Sequence, residues 1–164
     1  MHLTGDEMHP AFMARAIELA VEAVSSSTGG PFAALVVKNG RIIAEGTNLV
    51  PTSTDPTAHA EMIAIRNACS VLGSRELADC DIYTTCEPCL MCQGALFWAK
   101  PRRVFYGCTR SDAAEAGFDD APMYQALKLS PISRDIPLVC VMRSQAQVVF
   151  DIWQPQAKAF YRHS

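Results

Sequence analysis

Two short motifs constrain this chain more than anything else in it: His59-Ala60-Glu61, and further on Pro88-Cys89-Leu90-Met91-Cys92. Together they supply one imidazole, two thiols and one carboxylate. One nitrogen and two sulfur donors suit zinc, and three protein ligands leave the fourth tetrahedral position open, as a catalytic metal requires. Two thiolates cancel the formal charge of the metal, so it acidifies a water less forcefully than an all-histidine site would. A carboxylate must then share the proton transfer, and Glu61 stands beside the proposed ligand His59 to do it.

The spacing dictates the local fold. Pro56 and Thr57 precede an apolar-periodic stretch from about Ala58 to Leu72, with Gly73 as its stop signal. His59 and Glu61 fall in its first turn. Pro88 suits the first turn of a second helix, about Pro88 to Ala99, on which Cys89 and Cys92 are i and i+3 and face the same way. A helix N-terminus offers free N–H groups and a positive dipole end, which favour thiolate over thiol. Two such N-termini meeting end to end would make a compact metal site. A closed structural site is the alternative, with Cys86 as its fourth ligand. Glu61 argues against it, because a structural site has no use for an unligated carboxylate.

The chain has 164 residues, 49% of them hydrophobic and 19% charged, which predicts one soluble domain over 1–164 with a substantial core. Its net charge of −3 argues against nucleic acid as the main partner. No apolar run is long enough to span a membrane and no leader is visible, so the expected location is cytoplasmic. Seven cysteines without a secretory signal read as reduced thiols and metal ligands rather than a disulfide framework. Cys69 reads as core, and Cys80, Cys108 and Cys140 as packing residues. Lys100, Arg102 and Arg103 read as a solvated loop.

Phe12, Ala16, Leu19, Ala20, Ala23 and Val24 recur at helical spacing behind Pro10. Phe32–Val37 and Arg41–Ala44 read as strands joined by Asn39-Gly40, a strong hairpin signal. Asp81–Thr84 and Arg103–Tyr106 read as short buried strands around the cysteine-bearing helix, and Leu138–Met142 as a fifth strand. A further helix is expected to start near Asp119-Asp120-Ala121-Pro122. The fold class is α/β: a three-layer α/β/α sandwich with a mixed sheet of about five strands and the zinc site at two helix N-termini.

Further residues extend the pattern: Gly29-Gly30-Pro31-Phe32, Asp55-Pro56-Thr57-Ala58, Cys86-Glu87 and the run Asp112-Ala113-Ala114-Glu115-Ala116-Gly117-Phe118-Asp119-Asp120. With the two motifs, they make the chain resemble the cytidine-deaminase-like zinc deaminases over nearly its whole length. The last run resembles the bacterial guanine deaminase branch. That resemblance implies one Zn²⁺ per subunit held by His59, Cys89 and Cys92, with Cys86 a bystander and Glu61 the proton shuttle. It implies a purine pocket formed by Asn48, Phe32 and Asp120, completed by a C-terminal tyrosine, Tyr161, from the partner of a homodimer. The tail, about 144–164, is the segment exchanged between subunits.

The implied reaction is hydrolysis of guanine to xanthine and ammonia, with zinc-bound hydroxide attacking C2. Taken by their own local signals, Phe32 reads as core, Asn48 as a turn residue and Asp120 as a helix start. Two other functions compete: a related nucleoside or tRNA adenosine deaminase, and a non-catalytic zinc-stabilised interaction protein. RNA editing would want a basic face.

Overall fold

The computed structural model describes residues 9–156. Contacts divide the chain into two compact units, Met1–Asp120 and Ala121–Ser164.

The first unit is built on an antiparallel hairpin. Strands β1 (Gly30–Lys38) and β2 (Arg41–Asn48) are joined at Asn39 and Gly40, both at positive φ (50° and 72°). That conformation matches the twist of a two-residue hairpin and explains the Asn-Gly pair. β3 (Cys80–Cys86) lies antiparallel to β1, and β4 (Arg103–Cys108) lies parallel to β3. The order β2-β1-β3-β4 buries β1 and β3 between neighbours. A parallel step needs a crossover, and helix α3 (Leu90–Ala99) provides it between β3 and β4.

Side chains along the central strands alternate between two faces. Leu35, Val37 and Tyr83 pack with Ala16 of helix α1 (Pro10–Ser25). Ala34, Val36 and Ile82 pack with Ala60, Ala64 and Ala68 of helix α2 (Ala60–Leu72) and with Leu96 and Ala99 of α3. Helices therefore cover both faces of a mixed sheet, as expected for the α/β class. Alanines dominate the helix faces, so the helices approach the sheet closely. Gly46 carries this furthest. A Cβ there would lie 2.4 Å from the Ala60 carbonyl oxygen and 2.6 Å from the Ala64 nitrogen. The missing side chain is what lets the first turn of α2 rest on β2.

Several expectations change. The sheet has four strands among the described residues, not five. Leu138–Val141 is irregular and exposed, and Met142 leads into a helix. An apolar run indicates a strand only if a free edge lies alongside to pair with it, which periodicity cannot reveal. β2 runs four residues further, to Asn48. α2 and α3 each begin two residues later than expected, because the metal-binding motif residues occupy the cap positions before them. Arg103 is not solvated, and Arg102, although exposed, is not free: both guanidiniums clamp the buried carboxylate of Asp81, with contacts of 2.6–3.3 Å. Cys80 is buried, but Cys108 at the end of edge strand β4 and Cys140 are exposed rather than packed.

Helix α4 (Arg110–Glu115) follows β4 behind a capping box of Thr109 and Asp112. The second unit contains α5 (Ala121–Lys128), a single 3-10 turn (Pro131–Ser133) and α6 (Arg143–Trp153). None of these elements buries a residue. Val141, Met142, Val149 and Phe150 are among its exposed apolar side chains. No helix among the described residues is long and apolar enough to cross a membrane.

Candidate active site

His59 is the N-cap residue of α2 and Cys89 that of α3, both with extended backbone and neither with its side chain capping its own helix. Those side chains turn toward each other instead. Cys89 Sγ lies 3.6 Å from His59 Nδ1, Cys92 Sγ lies 3.7 Å from the same nitrogen, and the two sulfurs are 3.7 Å apart. A tetrahedral centre with Zn–S of about 2.3 Å and Zn–N of about 2.0–2.1 Å has S···S edges of about 3.8 Å and S···N edges of about 3.6 Å. The donor atoms already outline one face of that tetrahedron. Cys86 does not join them. Its thiol donates to the Thr109 carbonyl at 3.7 Å, and burial, then the charge of neighbouring groups, pushes it up to about 11.

The electrostatics favour a cation. Cys89 is drawn down to about 4 by its contact with Cys92 and then by His59, against the effect of burial. Cys92 is pushed up, first by its hydrogen bond to Cys89 and then by burial and the nearby Glu61 charge. A divalent metal bound between the two sulfurs displaces a thiol proton from such a pair. His59 is raised by Cys89, with burial opposing.

Local bonds hold the two N-termini in place. Asp55 accepts from the Thr57 N–H at 2.8 Å and from the Thr57 hydroxyl at 2.6 Å, and the Leu49 N–H donates to the Ala58 carbonyl at 2.9 Å. At α3, the Gln93 amide donates to the Pro88 carbonyl at 2.9 Å.

Glu61 sits one residue into α2 and is only 6% exposed. Its Oε1 accepts from the buried Thr84 hydroxyl at 3.3 Å and its Oε2 from the Cys92 thiol at 3.5 Å. Burial pushes its carboxyl above the ordinary range, while its own backbone N–H and the Cys92 thiol pull the other way. A carboxyl tuned upward in a cleft is suited to taking and returning protons near neutral pH.

A cavity of about 320 Å³ opens beside this group, and His59, Glu61, Phe32, Asn48, Phe118 and Asp120 all line it. Its walls have identifiable causes. Gly30 pairs with Asn48 and Ala33 with Thr47, so Pro31 and Phe32 form a bulge. Such a bulge re-aims a side chain at the end of a strand, and Phe32 meets Phe118 edge-on, ring centres 4.9 Å apart. Asn48 is buried, and its Oδ1 accepts from the Val50 N–H at 3.0 Å. That bond fixes the amide, leaving Nδ2 as the available donor. Asp120 is paired with Arg110 at 2.9 Å. Asn48 and Phe32 therefore combine the turn and core roles read locally with a place in the cavity wall.

Seven of the eight residues singled out from the sequence thus come together. Tyr161 lies outside the described residues. Phe118, Arg110 and Thr84 were not singled out. Phe118 stood inside the Asp112–Asp120 run and an aromatic there was a usable signal, whereas the contacts of Arg110 and Thr84 leave no mark in spacing.

A three-layer α/β/α fold with imidazole and thiol donors meeting at two helix N-termini, beside a buried glutamate, defines a zinc-dependent deaminase scaffold. Residues 6–108 match the family described as the cytidine and deoxycytidylate deaminase zinc-binding region, and the chain belongs to that family. The metal of this donor set is zinc. The chain is 51% identical over 146 residues to the guanine deaminase of Bacillus subtilis (strain 168), covering 89% of this chain and 94% of that protein. The X-ray structure of the B. subtilis enzyme superposes with a TM-score of 0.88 over 90% of this chain and 94% of that one. The guanine deaminase from Nitrosomonas europaea is 34% identical with a TM-score of 0.64, over 66% and 63% of the two chains. A tRNA-specific adenosine deaminase of Haemophilus influenzae is 35% identical over 130 residues, 76% of this chain and 75% of that protein.

Proposed function

We propose that the protein hydrolyses guanine to xanthine and ammonia. The observation that carries this reading is a single cavity lined by the metal donors His59 and Cys89, the buried Glu61, Asn48 and Asp120, with the sulfur of Cys92 buried directly behind the first two. The 51% identity to a guanine deaminase over most of both chains supports the choice of base.

His59 Nδ1 and the sulfurs of Cys89 and Cys92 would hold the zinc, which would supply Lewis-acid activation of water. Glu61 takes one proton from the attacking water and gives it to N3, then takes the remaining proton from the oxygen added at C2 and gives it to the amine, which leaves as ammonia when the C2–N bond breaks and the C2 carbonyl forms. Thr84 steadies one oxygen of that carboxylate, leaving Glu61 oriented through both transfers. Asp120 accepts from the N1–H and amine edge of the base, and the Nδ2 of Asn48 donates to the opposite edge. Phe32 and Phe118 enclose the ring system. The cavity is at the small end of ligand sites, which run about 300–1,000 Å³, and suits one base rather than a polynucleotide. The net charge of −3 also argues against a tRNA substrate. A purely structural zinc site would leave the buried Glu61 without a role.

The quaternary organisation belongs to the same proposal: a homodimer whose tails, from about 144, are exchanged so that Tyr161 closes the partner's site. The apolar side chains that α6 leaves exposed support it. Mixing a Glu61→Gln chain with a chain truncated before Phe160 should restore part of the activity, because one site of the heterodimer has both an intact glutamate and a donated tail. Heterodimers confirmed by mass but no more active than either parent would count against exchange. Seven free cysteines fit a reducing, cytoplasmic setting.

The reading is tested by following ammonia release from a panel of bases and nucleosides with the zinc-loaded protein. Guanine should be turned over and xanthine recovered. Release from adenosine or cytidine with guanine untouched would refute it.

A further inference from the structure

Asp120 does not face the cavity alone. Arg110, the first residue of α4, places its Nε 2.9 Å from Asp120 Oδ1, and a terminal nitrogen of the same guanidinium lies 2.9 Å from that same oxygen. Both contacts fall on Oδ1, so Oδ2 is the oxygen left to accept from a bound molecule. Arg110 lines the cavity with Asp120. It is itself anchored. Its backbone N–H donates to Glu87 Oε2 at 3.1 Å, and the Glu87 N–H donates to the Cys108 carbonyl at 2.8 Å. Glu87 stands two residues before Cys89, so the acidic wall of the cavity is tied to the segment that carries the thiols.

We infer that Arg110 is a positioning residue: it fixes one oxygen of Asp120 so that the other is held as an acceptor for the base, and so sets the selectivity of the site for bases with an N–H donor on that edge. This rests on the proposed guanine reading. The geometry explains why an arginine is used. A guanidinium is planar and rigid and can put two N–H groups on one oxygen, whereas an ammonium is a mobile point charge. An ionised carboxylate only accepts. A base with N1–H satisfies the fixed oxygen. A base with a bare N1 sets lone pair against lone pair.

An Arg110 that merely closed α4 onto the following turn would not distinguish between bases. Guanine and 2-aminopurine carry the same amine at C2 but differ at N1, which is N–H in guanine and a bare acceptor in 2-aminopurine. Kinetics of ammonia release are measured on both bases for the wild type, Arg110→Ala, Arg110→Lys, Asp120→Ala and the double variant, with zinc content and Tm recorded for each. Arg110→Ala should lower kcat/KM for guanine roughly 10- to 100-fold, chiefly through KM, because misplacing one contact by about 1 Å costs on that order. It should narrow the guanine preference over 2-aminopurine, with zinc content unchanged. Arg110→Lys should recover part of the loss. In the Asp120→Ala background, Arg110→Ala should change the rate by less than about twofold, since a residue acting through Asp120 has nothing left to position.

Independent losses that multiply in the double variant, or an unchanged base preference in Arg110→Ala, would overturn the inference. If the wild type leaves guanine untouched, the guanine reading fails by itself, and the same cycle run on the base it does turn over still decides whether Arg110 acts through Asp120.

Discussion

The two ends of the cavity are built on different plans. At the metal end, His59, Glu61, Cys89 and Cys92 come from the starts of two helices and are largely buried, and the contacts among their polar atoms run 3.5–3.7 Å. At the base end, Phe32, Asn48, Arg110, Phe118 and Asp120 come from a strand bulge, a strand end and the neighbourhood of a short helix, and the Arg110–Asp120 pair is partly exposed, with side chains 31% and 19% accessible. Activating water allows little freedom in geometry, so its groups are buried and held by helix caps. Choosing a base is a matter of which edge is presented, and loosely connected elements can alter it without touching the metal. On this account, changes at the metal end abolish turnover of any base, and changes at the base end alter which base is turned over.

The largest effect should come from the proposed ligands. Cys92→Ser should lose zinc and turnover together, because a serine hydroxyl is a poor replacement for thiolate at neutral pH. Cys86→Ser, three residues before Cys89, should keep its zinc. Metal analysis showing the reverse would move the site.

Asp120→Ala comes next. It should keep zinc and fold but lower kcat/KM for guanine by about 5- to 150-fold, the equivalent of about 1–3 kcal/mol for a buried donor left unpaired. Unchanged guanine kinetics would reduce Asp120 to the partner of Arg110.

The smallest effect on chemistry and the clearest on stability belongs to Gly46. Gly46→Ala forces a methyl into the backbone of α2 and should cost about 1–3 kcal/mol, read as a lower Tm with weakened zinc retention, since Ala60 adjoins His59. Gly94→Ala in α3 is the control. Its Cβ meets nothing within 4 Å, and a helical glycine replaced by alanine gains roughly 0.5–1 kcal/mol. Equal effects at the two glycines would show that close packing of α2 does not position the metal end.

This contrast also explains what could be read in the sequence. The metal end is legible because its residues are spaced by local helix geometry, and only the helix starts differ: the sequence places His59 and Pro88 in first turns, whereas His59 and Cys89 serve as the caps. The Asn39-Gly40 hairpin was legible for the same local reason. The base end became legible only through resemblance, since nothing in the spacing of Asn48, Phe32 and Asp120 brings them together. The Arg110–Asp120 and Arg102–Asp81 pairs join residues 10 and 21 apart without any periodic signature. The absent fifth strand shows the limit from the other side: Leu138–Met142 has the right apolar composition, but composition carries no information about an available edge.

The most direct test of the central claim is Glu61→Gln, with zinc content and ammonia release from guanine measured on the same preparation. The substitution keeps the shape of the side chain and removes its proton transfer. Zinc should remain at one per chain while turnover falls by about 10⁴ or more, at or beyond the upper end for a lost general acid–base group. A zinc-loaded variant that still deaminates guanine at close to the wild-type rate would contradict the account.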